Sequence, residues 1–147
     1  MNYSPLIIPL IVVLAAQIVK LSIDRIKGNL NLRNLWLSYG GMPSAHTAFA
    51  SSAATVAGLT AGWQSPLFAV ATVFTLLIMR DAVTFRNYLG QQGKLLNALI
   101  EKLPATDRPS LPPFMERVGH SIGEVLGGAV FGVALTLVLD QLWLRLG

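Results

Sequence analysis

The chain reads as an all-α membrane protein: a polytopic bundle of about four transmembrane helices plus an interfacial amphipathic helix, forming a single domain over residues 1–147. Three observations lead there. The composition is 53% hydrophobic and only 12% charged, with a mean hydropathy of +0.58, too apolar for an ordinary soluble domain. The apolar residues fall in blocks close to the ~20 residues that cross a bilayer. The ionisable residues that enter those blocks sit near their ends.

Residues 5–23 form the first block, interrupted only by Gln17, Lys20 and Ser22. No basic segment precedes it and no small-residue cleavage site follows, so it reads as a span rather than a cleaved signal. Residues 43–62 are small and carry no charge after His46, and residues 66–79 are apolar up to Arg80. Between them, Gly62-Trp63-Gln64-Ser65-Pro66 is a turn. Residues 122–144 are apolar apart from Glu124 and Asp140. Ahead of this last block, residues 91–103 set Leu95, Leu96, Leu99, Ile100 and Leu103 on one helical face, with Lys94, Asn97, Glu101 and Lys102 opposite. That pattern predicts a helix lying at the interface. Pro104 ends it, and residues 107–113 form a stiff connector.

Charge orients the spans. Arg25, Lys27 and Arg33 outweigh Asp24 after the first, and Arg86, Lys94, Lys102, Arg108 and Arg117 lie between the third and fourth. By the positive-inside rule both segments face the cytoplasm and both termini lie outside. Lys20, His46, Arg80, Asp81, His120 and Glu124 then collect at the inner ends of their spans, and ionisable groups at membrane depth usually mark function. The net charge of +4 and the pI near 9.9 are accounted for by orientation and attraction to anionic lipid, so nucleic acid is not expected as a partner. The absence of cysteine excludes disulfides and thiolate metal sites. Ala50, Ala54, Gly58 and Gly62 repeat every four residues, as do Gly123 with Gly127 and Gly128 with Gly132. Such stripes let helices pack closely, which would bring the two histidine-bearing ends together.

Three constellations carry chemistry. In Gly40-Gly41-Met42-Pro43-Ser44-Ala45-His46 the glycines free the backbone and Pro43 suits a first helical turn. Helix-start amides with the Ser44 hydroxyl would hold an anion beside His46; a plain capped helix in the headgroup region is the other reading. His120 and Glu124, four residues apart, share a helical face. The carboxylate can fix the imidazole tautomer and leave the other nitrogen as nucleophile or base, or the two can simply stabilise a helix end. Arg80, Asp81 and Arg86 follow an apolar run. Arg86, oriented by Asp81, is the favoured phosphate-binding cation, with Lys20, Lys27 and Arg33 as others; each also serves as a topology signal or headgroup contact.

Pro43-Ser44-Ala45-His46, Arg80-Asp81-Ala82, Arg86, Gly90, Asn97 and Gly119-His120-Ser121-x-x-Glu124-Val125 together resemble the divergent branch of the type 2 phosphatidic acid phosphatase superfamily, which also contains the vanadium-dependent haloperoxidases. The resemblance extends from about Gln17 to Gly128. It implies that His120 attacks phosphorus to form a phosphohistidine, with Glu124 in place of the superfamily's aspartate. It further implies that His46 protonates the leaving oxygen and that Ser44 with nearby amides binds phosphate oxygens, without a metal or other cofactor. Some positions depart from the general pattern: Ala45 replaces a glycine, Lys27 and Arg33 are one residue too close with Asn34 replacing a proline, Arg117 lies three rather than five residues before His120, and Arg80 stands where a tyrosine is expected.

The expected function is therefore a phosphatase that removes a terminal phosphate from a membrane lipid at the cytoplasmic face, with phosphatidylglycerol phosphate as the best candidate. Phosphatidic acid and polyprenyl phosphates or diphosphates are further candidates. The competing classes are a metal-dependent lipid-processing enzyme using both imidazoles with Asp81 and Glu124, a catalytically silent lipid-phosphate binder or assembly factor, and a small transporter. A four-span bundle of this size encloses little volume, which makes a homodimer one arrangement to expect.

Overall fold

The computed structural model describes residues 4–26, 41–108, 112–116 and 118–146. Among them the chain is helical, with no strand: α1 (Ser4–Ile26), α2 (Ala45–Ala61), α3 (Pro66–Val83), α4 (Phe85–Glu101), a 3-10 turn (Ala105–Asp107) and α5 (Ile122–Leu146). Three stretches are long and apolar enough to cross a membrane: Pro5–Ile23, Pro66–Glu101 and Ile122–Arg145. The helix carrying His46, α2, has 17 residues, fewer than the ~20 of a full span.

Short as it is, α2 is the hub. It packs against α1, α3 and α5, and burial runs nearly all round it, from Ala45 and Thr47 to Ala57 and Gly58. Only small side chains let three neighbours approach one helix this closely. Ile8, Val12 and Ala16 of α1 meet Ala45, Ala48 and Val56 of α2, with Phe131, Leu135 and Leu139 of α5 completing the core. Among the described residues most of the buried hydroxyls are matched internally, Thr72 Oγ1 being the exception. Thr55 Oγ1 donates to Ser51 O at 2.8 Å, Ser51 Oγ donates to Thr47 O, and Thr136 Oγ1 lies 2.6 Å from Ser52 Oγ across the α2–α5 contact.

The close packing of α2 with α5 expected of small residues occurs, but along Ser44 and Ala48 of α2 rather than along the Ala50 stripe. A Cβ on Gly128 would lie 2.5 Å from Ser44 O, and one on Gly132 would lie 2.4 Å from Ala48 O, so α5 meets α2 backbone to backbone along Ser44 and Ala48. The Ala50 stripe turns instead to α3, where Thr75 Oγ1 reaches Ala50 O at 3.0 Å. The α2–α3 turn forms as its sequence implies. Gly62 adopts φ +94°, Ser65 caps α3 by accepting from Phe68 N at 3.1 Å, and Pro66 opens the helix.

Helix bounds differ from the sequence reading after Met79. No helix breaker follows, so α3 continues to Val83, and the amphipathic segment begins at Phe85 rather than residue 91. Thr84, at φ −113° and ψ −80°, is the break between them. Pro104 does end α4, whose last turn tightens through Lys102 N to Leu99 O and Leu103 N to Ile100 O, both 3.1 Å. Leu95, Leu96 and Leu99 are exposed as expected, whereas the packed face of α4 is made by Gly90 and Gly93.

Candidate active site

Four helix ends meet at one level. Ser44 N, at the start of α2, donates to Glu124 O of α5 at 3.1 Å. His120 N, just ahead of α5, donates to Ala82 O at the end of α3, also at 3.1 Å. Lys20 of α1 packs over Gly41, where an added Cβ would lie 2.9 Å from Lys20 Cε. Gly41 adopts φ +93°, a conformation other residues rarely take, so the turn favours glycine there.

His120 is the centre of this level. It is 5% exposed, and its Nδ1 is buried with no hydrogen-bond partner, which leaves Nε2 as the nitrogen able to meet a ligand. Lys20, His46, Arg86 and Glu124 all lie within electrostatic range of it. Burial holds its pKa below the ordinary histidine value. The Glu124 carboxylate opposes that shift, while Lys20, His46 and Arg86 reinforce it. The ring is therefore neutral at neutral pH, the form in which imidazole is a nucleophile. His46, exposed on the first turn of α2, feels Arg86, Lys20 and Asp81 in turn.

The cations come from three elements. Lys20 is 8% exposed, unusual for a lysine and consistent with a role at the site rather than in solvent. Arg86 Nε donates to Asp81 Oδ2 at 2.9 Å, the orienting contact the sequence suggested. Using Nε alone, that ion pair does not consume the two Nη groups. Arg80 is exposed at the end of α3, and Lys27 and Arg33 lie outside the described residues. Among the described residues no three His, Asp or Glu side chains converge into a metal-binding group.

Two local expectations are corrected. His120 does not share a helical face with Glu124, because α5 begins only at Ile122. The reason is a capping box, Ser121-x-x-Glu124: Glu124 N donates to Ser121 Oγ at 3.3 Å and Ser121 N donates to Glu124 Oε2 at 2.9 Å. Oε1 accepts from Gly41 N at 3.1 Å, so the carboxylate also ties the α2 entry turn to the α5 start. Pro43 is likewise outside the first turn of α2. Ser44 is the N-cap, fully buried, and its hydroxyl accepts from Thr47 Oγ1 at 3.1 Å instead of capping an amide. The capping box was visible as Ser-x-x-Glu before an apolar run, a signal outweighed by the apparent His–Glu spacing.

Asn87 belongs to this level too and had no signature in sequence. Its Nδ2 donates to Val83 O at 3.0 Å and His120 O at 3.1 Å, and Gly119 packs against it so tightly that a Cβ would lie 2.0 Å from Asn87 Oδ1.

Comparison with known proteins gives the family. The chain is 33% identical over 146 residues to an uncharacterized membrane protein, YuiD, of Bacillus subtilis (strain 168), covering 92% of each chain. No solved structure matches. A family profile described as Divergent PAP2 matches residues 1–135, a span that takes in both histidine segments and every helix end that builds their shared level. On that match, the chain belongs to the Divergent PAP2 family.

Proposed function

We propose that this protein is a membrane phosphatase that hydrolyses a lipid phosphomonoester at the cytoplasmic face through a phosphohistidine. One observation carries the reading: a buried imidazole at His120, within electrostatic range of a second imidazole and two cations of separate helices. His120 Nε2 attacks phosphorus, the bond from phosphorus to the lipid oxygen breaks, and His46 protonates the departing oxygen. Water then attacks the phosphohistidine, its proton passing to His46, and inorganic phosphate leaves as the phosphorus–nitrogen bond breaks. Lys20 and Arg86 offset the charge on the phosphoryl oxygens.

In this reading α2 is a fourth, short span and α4 rests at the interface with its exposed leucines in lipid. The basic segments put the site inside the cell and both termini outside. A lipid substrate is supported by an apolar groove of about 300 Å³ between α2, α3 and α5, which reaches Met79, one turn before the Ala82 carbonyl that holds His120. Phosphatidylglycerol phosphate, a phosphomonoester on the inner leaflet, is the preferred substrate; whether one copy or a homodimer acts is a separate question for the purified protein.

A second reading, a silent lipid-phosphate binder, is favoured by one specific feature. The Glu124 oxygens accept from the Gly41 and Ser121 amides while His120 Nδ1 has no partner. Phosphate release from a panel of lipid phosphates in detergent, with chelator present and His120→Ala as control, separates the two. Release that vanishes in the variant supports the phosphatase. Binding of the same lipids without release identifies the binder.

A further inference from the structure

His120 is carried by a chain segment that runs along α4, and the contacts between the two form a pattern. At the far end, Asn97 holds Phe114 the way a neighbouring strand would. Its Oδ1 accepts from Phe114 N at 2.9 Å and its Nδ2 donates to Phe114 O at 2.9 Å, with Glu116 Oε1 at 3.0 Å as a further acceptor. Along the middle, Gly93 and Gly90 remove any side chain that would hold the segment off. A Cβ at either would lie 2.5 Å from a backbone oxygen, of Met115 and Glu116 respectively. At the near end, Asn87 holds His120 O and leaves room only for glycine at position 119.

Positions 87, 90, 93 and 97 recur at three- and four-residue intervals and so share one face of α4. The segment climbs that face in the direction opposite to the helix. From Asn97 to Asn87 the helix rises about 15 Å. A shift of one residue at Phe114 would carry a neighbour into the His120 position. The hydrogen bonds of both asparagines go to backbone and to Glu116, not to the imidazole.

We propose that Asn97 and Asn87 are positioning residues that set where residues 114–116 and 118–120 lie on α4 and thereby place the His120 ring at the shared level of the helix ends. Asn97 acts from the far end of the rail, and Asn87 locks the carbonyl of His120 itself. The kinetic consequence rests on the phosphatase reading above; the geometric one does not.

The chain has only two histidines, so their ring signals can be followed separately. In detergent-solubilised protein labelled at the histidine Cε1, His46→Ala assigns the two resonances. The expected result is that Asn97→Ala moves the His120 titration toward the ordinary histidine value of about 6.5, as the ring slips from its buried place among Glu124, Lys20, His46 and Arg86, while the His46 signal stays put. With a substrate that wild type turns over, kcat falls by about 10²-fold with little change in KM, the scale of an ångström-level misplacement. Asn97→Asp, which keeps the acceptor for Phe114 N but removes both donors, gives a smaller shift in the same direction and covers the case in which the alanine variant does not fold. Gln92→Ala, exposed on α4, leaves both signals unchanged. A His120 signal identical to wild type in folded Asn97→Asp or Asn97→Ala, even with a lower unfolding temperature, overturns the proposal. If wild type releases no phosphate but the signal still moves, the phosphatase reading falls and the register clamp stands.

Discussion

At the residue scale, the environment of His120 makes its chemistry testable by pH. Its pKa is lowered mainly by burial, so the neutral ring persists to more acidic pH than an ordinary histidine would allow. In the phosphatase reading, the acidic limb of the pH–rate profile should therefore have its midpoint below about 6.5. The same shift has a stability consequence. The unfolded chain takes up this proton more readily than the folded one, so the histidine's contribution to stability is full above the unfolded value and declines as pH falls through it. His46 has a different role and a different signature. In single-turnover measurements His46→Ala should slow phosphohistidine formation from lipid phosphates while sparing its formation from an aryl phosphate, whose leaving oxygen needs no proton; equal slowing of that step with both would remove His46 from the acid role.

At the element scale, the α2–α5 contact is set by backbone atoms that have nowhere to go. Gly128→Ala or Gly132→Ala drives a methyl into Ser44 O or Ala48 O and should cost about 1–3 kcal/mol, seen as a lower thermal unfolding midpoint in detergent. Gly123, on the same helix, has only Ser121 Oγ within reach, at 4.0 Å. Gly123→Ala should leave the midpoint unchanged or raise it, by up to about 1 kcal/mol from reduced freedom of the unfolded chain. The contrast matters because the sequence pattern treats these glycines alike. The α5 cap is a separate device: Ser121→Ala removes the hydroxyl that accepts from Glu124 N and should cost about 1 kcal/mol.

At the scale of the whole molecule, the proposed orientation can be read from two introduced thiols, since the chain has no cysteine of its own. Lys102→Cys, at the end of α4, and Gln64→Cys, in the α2–α3 turn, are both exposed. An impermeant thiol reagent added to intact cells should label the second and spare the first. The reverse would turn the bundle over and put the site outside. Orthovanadate at millimolar concentration should inhibit, as a mimic of five-coordinate phosphorus, and insensitivity would count against the phosphohistidine scheme.

Much of this was legible from the chain alone because hydrophobic length and charge bias are local properties. The apolar blocks, the Gly62–Pro66 turn and the Pro104 stop follow from residue types in order, and the two histidine segments were recognisable as a pair. The pairing of Arg86 with Asp81 also followed, being short-range. What folding alone decided involves partners far apart in the chain. Glu124 accepts from Gly41, eighty-three residues away, and from its own helix start, contacts that its spacing from His120 does not suggest. Gly90 and Gly93, which look like interruptions of an amphipathic helix, are the seats of a passing backbone. Spacing specifies which residues share a face, but which backbone amide or carbonyl comes to lie against that face is settled only when the helices pack.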